Sequence, residues 1–283
     1  MRRFILAALA AAPLAAPAWA ACPEDAAVEA LARSLLANQP AQPLAGMTSL
    51  EHGQCAQDKL VAVMVQHWGR PVGYKVGLTN AAAQQRFGVA HPVTGTIYEA
   101  TLRLRSGAEV PARFGSVPTV EADLLVRVSS DAINEARTHL DVLRAIDQVI
   151  PFIEMPDLVL AQGMDGPNLL AINVGARLGV VGEPIPVRAT EEFAARLGTM
   201  TVVMTNNERE LARAPGTALL GHPLNVLPWL AQDLRSRGER LRVGEYVSLG
   251  GFSPALPTEA GRTYTVRYEN LLAQPVDVSV RTR

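Results

Sequence analysis

Two short apolar runs with carboxylates set into them constrain this chain more than any other feature. Residues 118–127 (PTVEADLLVR) open after a proline and are rich in Val and Leu, which reads as a β-strand. Residues 149–155 (VIPFIEM) read as a second strand-like segment. Strand side chains two apart share a face, so Glu121 and Asp123 stand side by side, and Glu154 arrives from the other segment. An acidic pair on a strand is ordinarily the wet face of an edge strand. Three carboxylates on rigid strands also make an octahedral site for a hard divalent cation such as Mg²⁺ or Mn²⁺. Glu154 lies among Ile150, Pro151, Phe152, Ile153 and Met155, where a carboxylate costs free energy unless something pairs with it. A metal ion or a structural Arg would each meet that demand.

The surrounding pattern places these strands in an α+β chain. Residues 24–38 set Ala27, Val28, Leu31 and Leu35 at helical spacing. Residues 39–53, with two prolines and two glycines, read as an irregular connection, and 58–68 as a second helix. A strand over 71–78 follows, after which Thr79 caps a short helix through Phe87. Strands and loops are expected over 91–104, and a helix over 138–147 between the acidic strands. Residues 168–178 suggest a helix ended by Gly179. Asn206-Asn207 marks a turn between strands at 200–205 and 208–214. His222-Pro223 opens a helix to about Arg237, and strands at 246–249, 263–268 and 276–281 close the chain. No βαβα alternation supports a doubly wound sheet.

Arg2 and Arg3, the apolar residues 4–16 and the small-x-small run Ala18-Trp19-Ala20 form a signal peptide pattern. Cleavage after Ala20 and export to a periplasm are expected. The organisation is then a signal peptide over 1–20, an N-terminal helical region over 21–70 and a β-rich catalytic-type domain over 71–283. The only cysteines, Cys22 and Cys55, both fall in the mature chain, and in an oxidising compartment an even pair favours a disulfide. A formal net charge of -1 without a Lys/Arg cluster argues against nucleic acid as a partner. No later segment is long and apolar enough to span a membrane.

With Gly73-Tyr-Lys-Val-Gly-Leu-Thr79 added, the chain resembles the fumarylacetoacetate hydrolase superfamily, in particular its 2-keto-4-pentenoate hydratase and 4-oxalocrotonate decarboxylase branch. Members carry a GYK-[IV]-G-L-T segment, a strand with E-x-E, then an apolar run with a third Glu. Here these are Lys75, Glu121-x-Asp123 and Glu154. Gly221-His-Pro-Leu-Asn225, Trp229-Leu-Ala231 and Gly238 to Leu241 leading to Gly244 also match, so the resemblance runs from about Leu31 to the C-terminus. It implies a mixed β-roll with N-terminal helices, a divalent metal on Glu121, Asp123 and Glu154, and homo-oligomeric assembly. It further implies a small 2-oxo acid that chelates the metal through its carboxylate and ketone, a Lewis-acid use of the ion. Lys75 would face the same cavity, binding the substrate carboxylate or assisting proton transfer; read alone, it is equally a surface or structural lysine.

Departures from the family pattern are concentrated in polar groups. Pro92-Val93-Thr94-Gly95 stands where Pro-Asp-aromatic-Gly is usual, Ile172-Asn173-Val174-Gly175 for Asp-Asn-Ala-Ser, Asp157-Leu158-Val159 for Asp-Ser-Arg, and Leu249-Gly250-Gly251 for Thr-Gly-Ser. Asp123 is itself one methylene shorter than Glu. Asn173 remains a substrate-binding candidate, as do Gly250 and Gly251, which allow close approach to the backbone or simply form a turn. His222 opens a helix in a family-like segment, with capping and cavity-lining roles both open. Ser253 is outside a nucleophile elbow. The expected activity is a metal-dependent hydratase-like lyase. A decarboxylase or C–C hydrolase on a related 2-oxo acid, and a non-catalytic periplasmic organic-acid-binding protein, are the alternatives.

Overall fold

The computed structural model of the chain describes residues 22–160 and 162–283; the expected signal segment lies outside them. The class is α+β. Two mixed sheets carry the β structure, and helices cover one end.

The larger sheet runs in the order Val93–Tyr98, Pro71–Gly77, Tyr246–Ser248, Thr119–Val128, Ile146–Met155, Leu178–Val181 and Leu104–Arg105, with two short strands attached at its side. The acidic strands are antiparallel neighbours in a register that sets Glu121 directly opposite Glu154. The Lys75 strand is separated from them only by Tyr246–Ser248, with Lys75 beside Ser248 and Ser248 beside Leu125. Three segments far apart in sequence thus bring Lys75, Glu121, Asp123 and Glu154 to one region of one sheet.

The smaller sheet is built from Glu210–Pro215, Thr201–Thr205, Thr263–Glu269, Val276–Thr282 and Ala108–Val110. The two sheets share a core that includes Leu124, Val126, Ile153, Val202, Val266 and Val278, all almost fully buried. Tyr268 reaches across this core. Its hydroxyl donates to the Asp123 carbonyl and accepts from the Phe152 N–H at 3.1 Å, so one side chain clamps both acidic strands.

Helices Asp25–Leu36 and Leu50–Trp68 pack over a second apolar cluster that also takes in Tyr98, Leu169 and Val174. The second helix begins eight residues before the expected start at 58. Ser49 accepts a bond from the His52 N–H, and Leu50, Glu51 and His52 form a first turn that reads as the end of the irregular connection because of the prolines and glycines of 39–53. Gly53 packs against Pro167 and Leu170 of helix Gly166–Ala171, too close for a Cβ. The Cys22–Cys55 disulfide is present and ties the N-terminal arm to this helix.

A second difference concerns residues 168–179. The helix ends at Ala171, the chain turns through Asn173–Gly175, and Gly179 lies inside a strand opposite Glu154. Asn173 and Val174 both take left-handed backbone, which breaks helical continuity despite the apolar spacing. Likewise, His222 precedes a 3-10 turn before helix Val226–Ser236, accepting the Leu224 N–H on Nδ1. It caps; it does not line the cavity described below. Among the described residues, no helix is long and apolar enough to cross a membrane.

Candidate active site

A cavity of about 380 Å³ opens above the end of the larger sheet where the acidic strands meet. Lys75, Glu121, Glu154 and Gly251 line its charged end, and Leu78, Phe87 and Leu169 contribute apolar wall. A somewhat larger groove, about 440 Å³, beside Ile185 and Phe193 contains none of these charged groups. Chemistry belongs where buried charges converge, so the smaller cavity is the candidate site.

Lys75 and Glu154 are buried, and their charges meet at 2.6 Å between Nζ and Oε1. The same ammonium donates to the Val174 carbonyl at 2.8 Å, an acceptor that the left-handed turn at 173–174 presents to it. Glu121 keeps part of its surface open to the cavity while its carboxylate sits deep among protein atoms. Gly251 makes room for that carboxylate: a Cβ there would lie 3.0 Å from Glu121 Oε2. Asp123 is fully buried behind them. Its carboxylate accepts from Ser248 Oγ at 2.6 Å, from the Gly250 N–H at 3.2 Å and from the Leu124 N–H.

One ammonium thus faces three carboxylates in a dry site, and the acids respond. Burial first, then the negative charges of Glu154 and Asp123, push Glu121 up to about 8 against the opposing pull of Lys75. Burial and the Glu154 charge raise Asp123 to about 7, although hydrogen bonds from Ser248 and Leu124 work to lower it. The excess negative charge matches a divalent cation. The donor directions match it less completely: as the side chains stand, no group of three or more His, Cys, Asp or Glu among the described residues is set to hold one ion. Lys75 pairs with Glu154 Oε1, and Ser248 and the Gly250 N–H donate to the Asp123 oxygens.

The remaining candidates fall elsewhere. Asn173 is buried with its amide committed: Oδ1 accepts the Thr96 N–H at 2.7 Å and a Gln57 Nε2 proton at 3.2 Å, while Nδ2 donates to the Thr96 carbonyl. It shapes the turn that delivers the Val174 carbonyl to Lys75. Gly250, at φ 111°, touches Thr79 and lies behind the cavity wall. Arg86 and Thr79 are among the cavity residues that the sequence does not mark as such. Arg86, exposed on helix Ala81–Phe87, is the one basic lining residue besides Lys75 among the described residues. Thr79 also lines the cavity, since Asn80 caps the helix in its place.

No family model matches the chain. It is 30% identical over 240 residues to the TodF product hydratase of Pseudomonas putida strain F1, covering 84% of this chain and 88% of that protein. It is also 30% identical over 201 residues to a 4-oxalocrotonate decarboxylase of Pseudomonas putida, covering 71% and 74%. Among solved structures, the 4-oxalocrotonate decarboxylase of Pseudomonas putida G7, complexed with magnesium and adipate, superposes with a TM-score of 0.78 at 26% identity, covering 92% of this chain and 97% of that one.

Proposed function

The chain belongs to the 2-keto-4-pentenoate hydratase and 4-oxalocrotonate decarboxylase branch of the fumarylacetoacetate hydrolase superfamily, and from that membership we propose a metal-dependent lyase acting on a small 2-oxo acid. The observation that carries this reading is the surplus of buried carboxylate around Lys75 at the cavity end. Three carboxylates stabilise nothing in a dry site on their own; they suit a site that binds a dication together with a chelating acid. Glu121 and Glu154 would be the direct donors of Mg²⁺ or Mn²⁺, with Asp123 behind them, supported by Ser248. The ion would supply Lewis acidity to the 2-oxo group.

The chain's own groups do the rest. Lys75, already charge-paired, orients the substrate carboxylate and holds a proton on Nζ within the cavity. The apolar wall of Leu78, Phe87 and Leu169 keeps bulk water from the reacting end. Arg86, on the exposed side of that wall, suits a second carboxylate at the far end of a dioic substrate.

Water addition is the favoured reaction because hydratases recur among the relatives, the TodF product hydratase and 2-keto-4-pentenoate hydratases among them. Export fits the Cys22–Cys55 disulfide, a bond characteristic of oxidising compartments. Assembly with copies of itself rests on the family resemblance alone. The test supplies Mg²⁺ and compares water addition to 2-keto-4-pentenoate, in its dienol form, with CO₂ release from 4-oxalocrotonate. Metal-dependent turnover of the first, lost in Glu154→Ala, supports the hydratase. Release of CO₂ alone makes the chain a decarboxylase, and tight acid binding without turnover makes it a binding protein.

A further inference from the structure

Two consecutive non-glycine residues, Asn173 and Val174, take positive φ, 55° and 52°. Asn tolerates that region, but a β-branched residue there is an outlier that costs free energy and persists only where its surroundings enforce it. Burial of Val174 in the second apolar cluster rewards its side chain without requiring that backbone. What the turn does achieve is contact between the Val174 carbonyl and Lys75 Nζ at 2.8 Å.

The Asn173 amide enforces the turn. Val93–Tyr98 is the edge strand of the larger sheet, and Asn173 docks on the open side of Thr96 as a neighbouring strand residue would. Its Oδ1 accepts the Thr96 N–H at 2.7 Å while Nδ2 donates to the Thr96 carbonyl at 2.9 Å, and Gln57 Nε2 adds a second bond to Oδ1 at 3.2 Å. Two glycines clear the space. Gly95 lies directly across from Lys75 in the strand pair, and a Cβ there would come within 2.8 Å of the Asn173 carbonyl oxygen and 3.0 Å of Lys75 Cγ. A Cβ on Gly77 would meet Val174 Cγ1 at 2.7 Å. Neither glycine has a positive φ, so what each supplies is room.

Lys75 thus has two holds of different kinds. Glu154 is a candidate metal donor, so an ion competes for it; the Val174 carbonyl belongs to no candidate donor. An ammonium has three N–H donors, and these two acceptors leave one for a substrate oxygen. We propose that Asn173 is a positioning residue of the reaction: its amide locks the left-handed turn that keeps the Val174 carbonyl on Lys75 Nζ, and so fixes the ammonium for the substrate carboxylate. The inference rests on the functional reading above, which gives Lys75 that role. Asn173 itself touches no substrate and acts through Lys75.

The experiment titrates oxalate calorimetrically, at saturating Mg²⁺, into wild type, Lys75→Met, Asn173→Gly and the double variant. Glycine takes the left-handed backbone freely and removes only the amide that locks it. Loss of the ammonium weakens oxalate binding by about ten- to a hundredfold, the worth of a hydrogen bond to a charged group. Asn173→Gly weakens it by about tenfold in the wild-type background and by less than about twofold in the Lys75→Met background, where nothing is left for Asn173 to act through. Equal weakening in both backgrounds is what a merely structural role gives and overturns the proposal, as does wild-type affinity in Asn173→Gly. Asn173→Asp tolerates the same backbone and loses the donor to the Thr96 carbonyl, so it carries the cycle if the glycine variant does not fold. Wild type that binds no oxalate overturns the functional reading and the inference together. Wild-type affinity in Lys75→Met overturns the Lys75 role and this inference with it, and leaves the metal reading standing.

Discussion

Lys75 Nζ lies 2.6 Å from Glu154 Oε1, and the two side chains are 5% and 4% exposed. Breaking such a pair from one side leaves a buried charge without compensation, which costs about 3–5 kcal/mol. Lys75→Met should therefore lower the stability of the metal-free protein by an amount in that range. It also leaves three carboxylates without their ammonium, so added Mg²⁺ should restore more of the melting temperature than it adds to wild type. Thermal melts with and without Mg²⁺ test both effects. A variant as stable as wild type would show that the pair is not formed.

Glu121 has the opposite signature. Its carboxyl is raised from 4.5 to about 8 in the folded protein, so between those values the folded state binds more protons than the unfolded one. Its contribution to stability is complete below about pH 4.5 and is lost as pH rises towards about 8. Asp123, raised from 3.8 to about 7, adds to the same slope. Metal-free wild type should lose melting temperature across that interval, and Glu121→Gln should flatten the loss. The same variant should lose metal-induced stabilisation, a gain in stability set against function. A melting temperature that rises with pH in metal-free protein would reverse the electrostatic assignment.

The acidic strands were legible because a strand's two-residue period and a run of β-branched residues are local properties. The opposition of Glu121 to Glu154 was not, because antiparallel register is set by pairing across residues 119–155. The same distinction separates the residues of the site. Lys75, Glu121 and Glu154 all line the cavity, although only the two acids stand out from the strand pattern alone. Asn173 lies behind it, because the left-handed turn at 173–174 turns its amide to the Thr96 backbone. Thr79 and Asn80 are both competent caps by composition; which one caps depends on where the preceding strand ends. Tyr268, which clamps both acidic strands, sits in a C-terminal strand with no local mark of that role.

The disulfide is expected to matter for stability more than for chemistry. It joins residues 33 apart in sequence, and closing a loop of that length stabilises by about 3–4 kcal/mol in the chain-entropy model. Helix Leu50–Trp68 carries Gln57, which bonds to both Asn173 and the Thr94 carbonyl, but no cavity residue. A Cys22→Ser, Cys55→Ser double variant should unfold at lower denaturant while keeping wild-type affinity for Mg²⁺ at low temperature. Loss of metal binding in folded variant protein would place the helix in the function of the site.

Asp123 offers the sharpest test of the donor set. Its carboxylate is short by one methylene for the family's Glu and is held back by Ser248 Oγ and the Gly250 N–H. Asp123→Glu extends the carboxylate by about 1.5 Å, one carbon–carbon bond, towards the space shared with Glu121 and Glu154. The variant must give up the Ser248 and Gly250 bonds, so metal-free stability should fall by about 1–3 kcal/mol. Metal affinity should rise, since a third oxygen donor is freed to face the ion. Ser248→Ala separates the two effects by releasing Asp123 without lengthening it. Tighter Mg²⁺ binding in both variants would show that Ser248 restrains a ligand. Unchanged affinity in both would leave Glu121 and Glu154 as the only carboxylates that touch the metal.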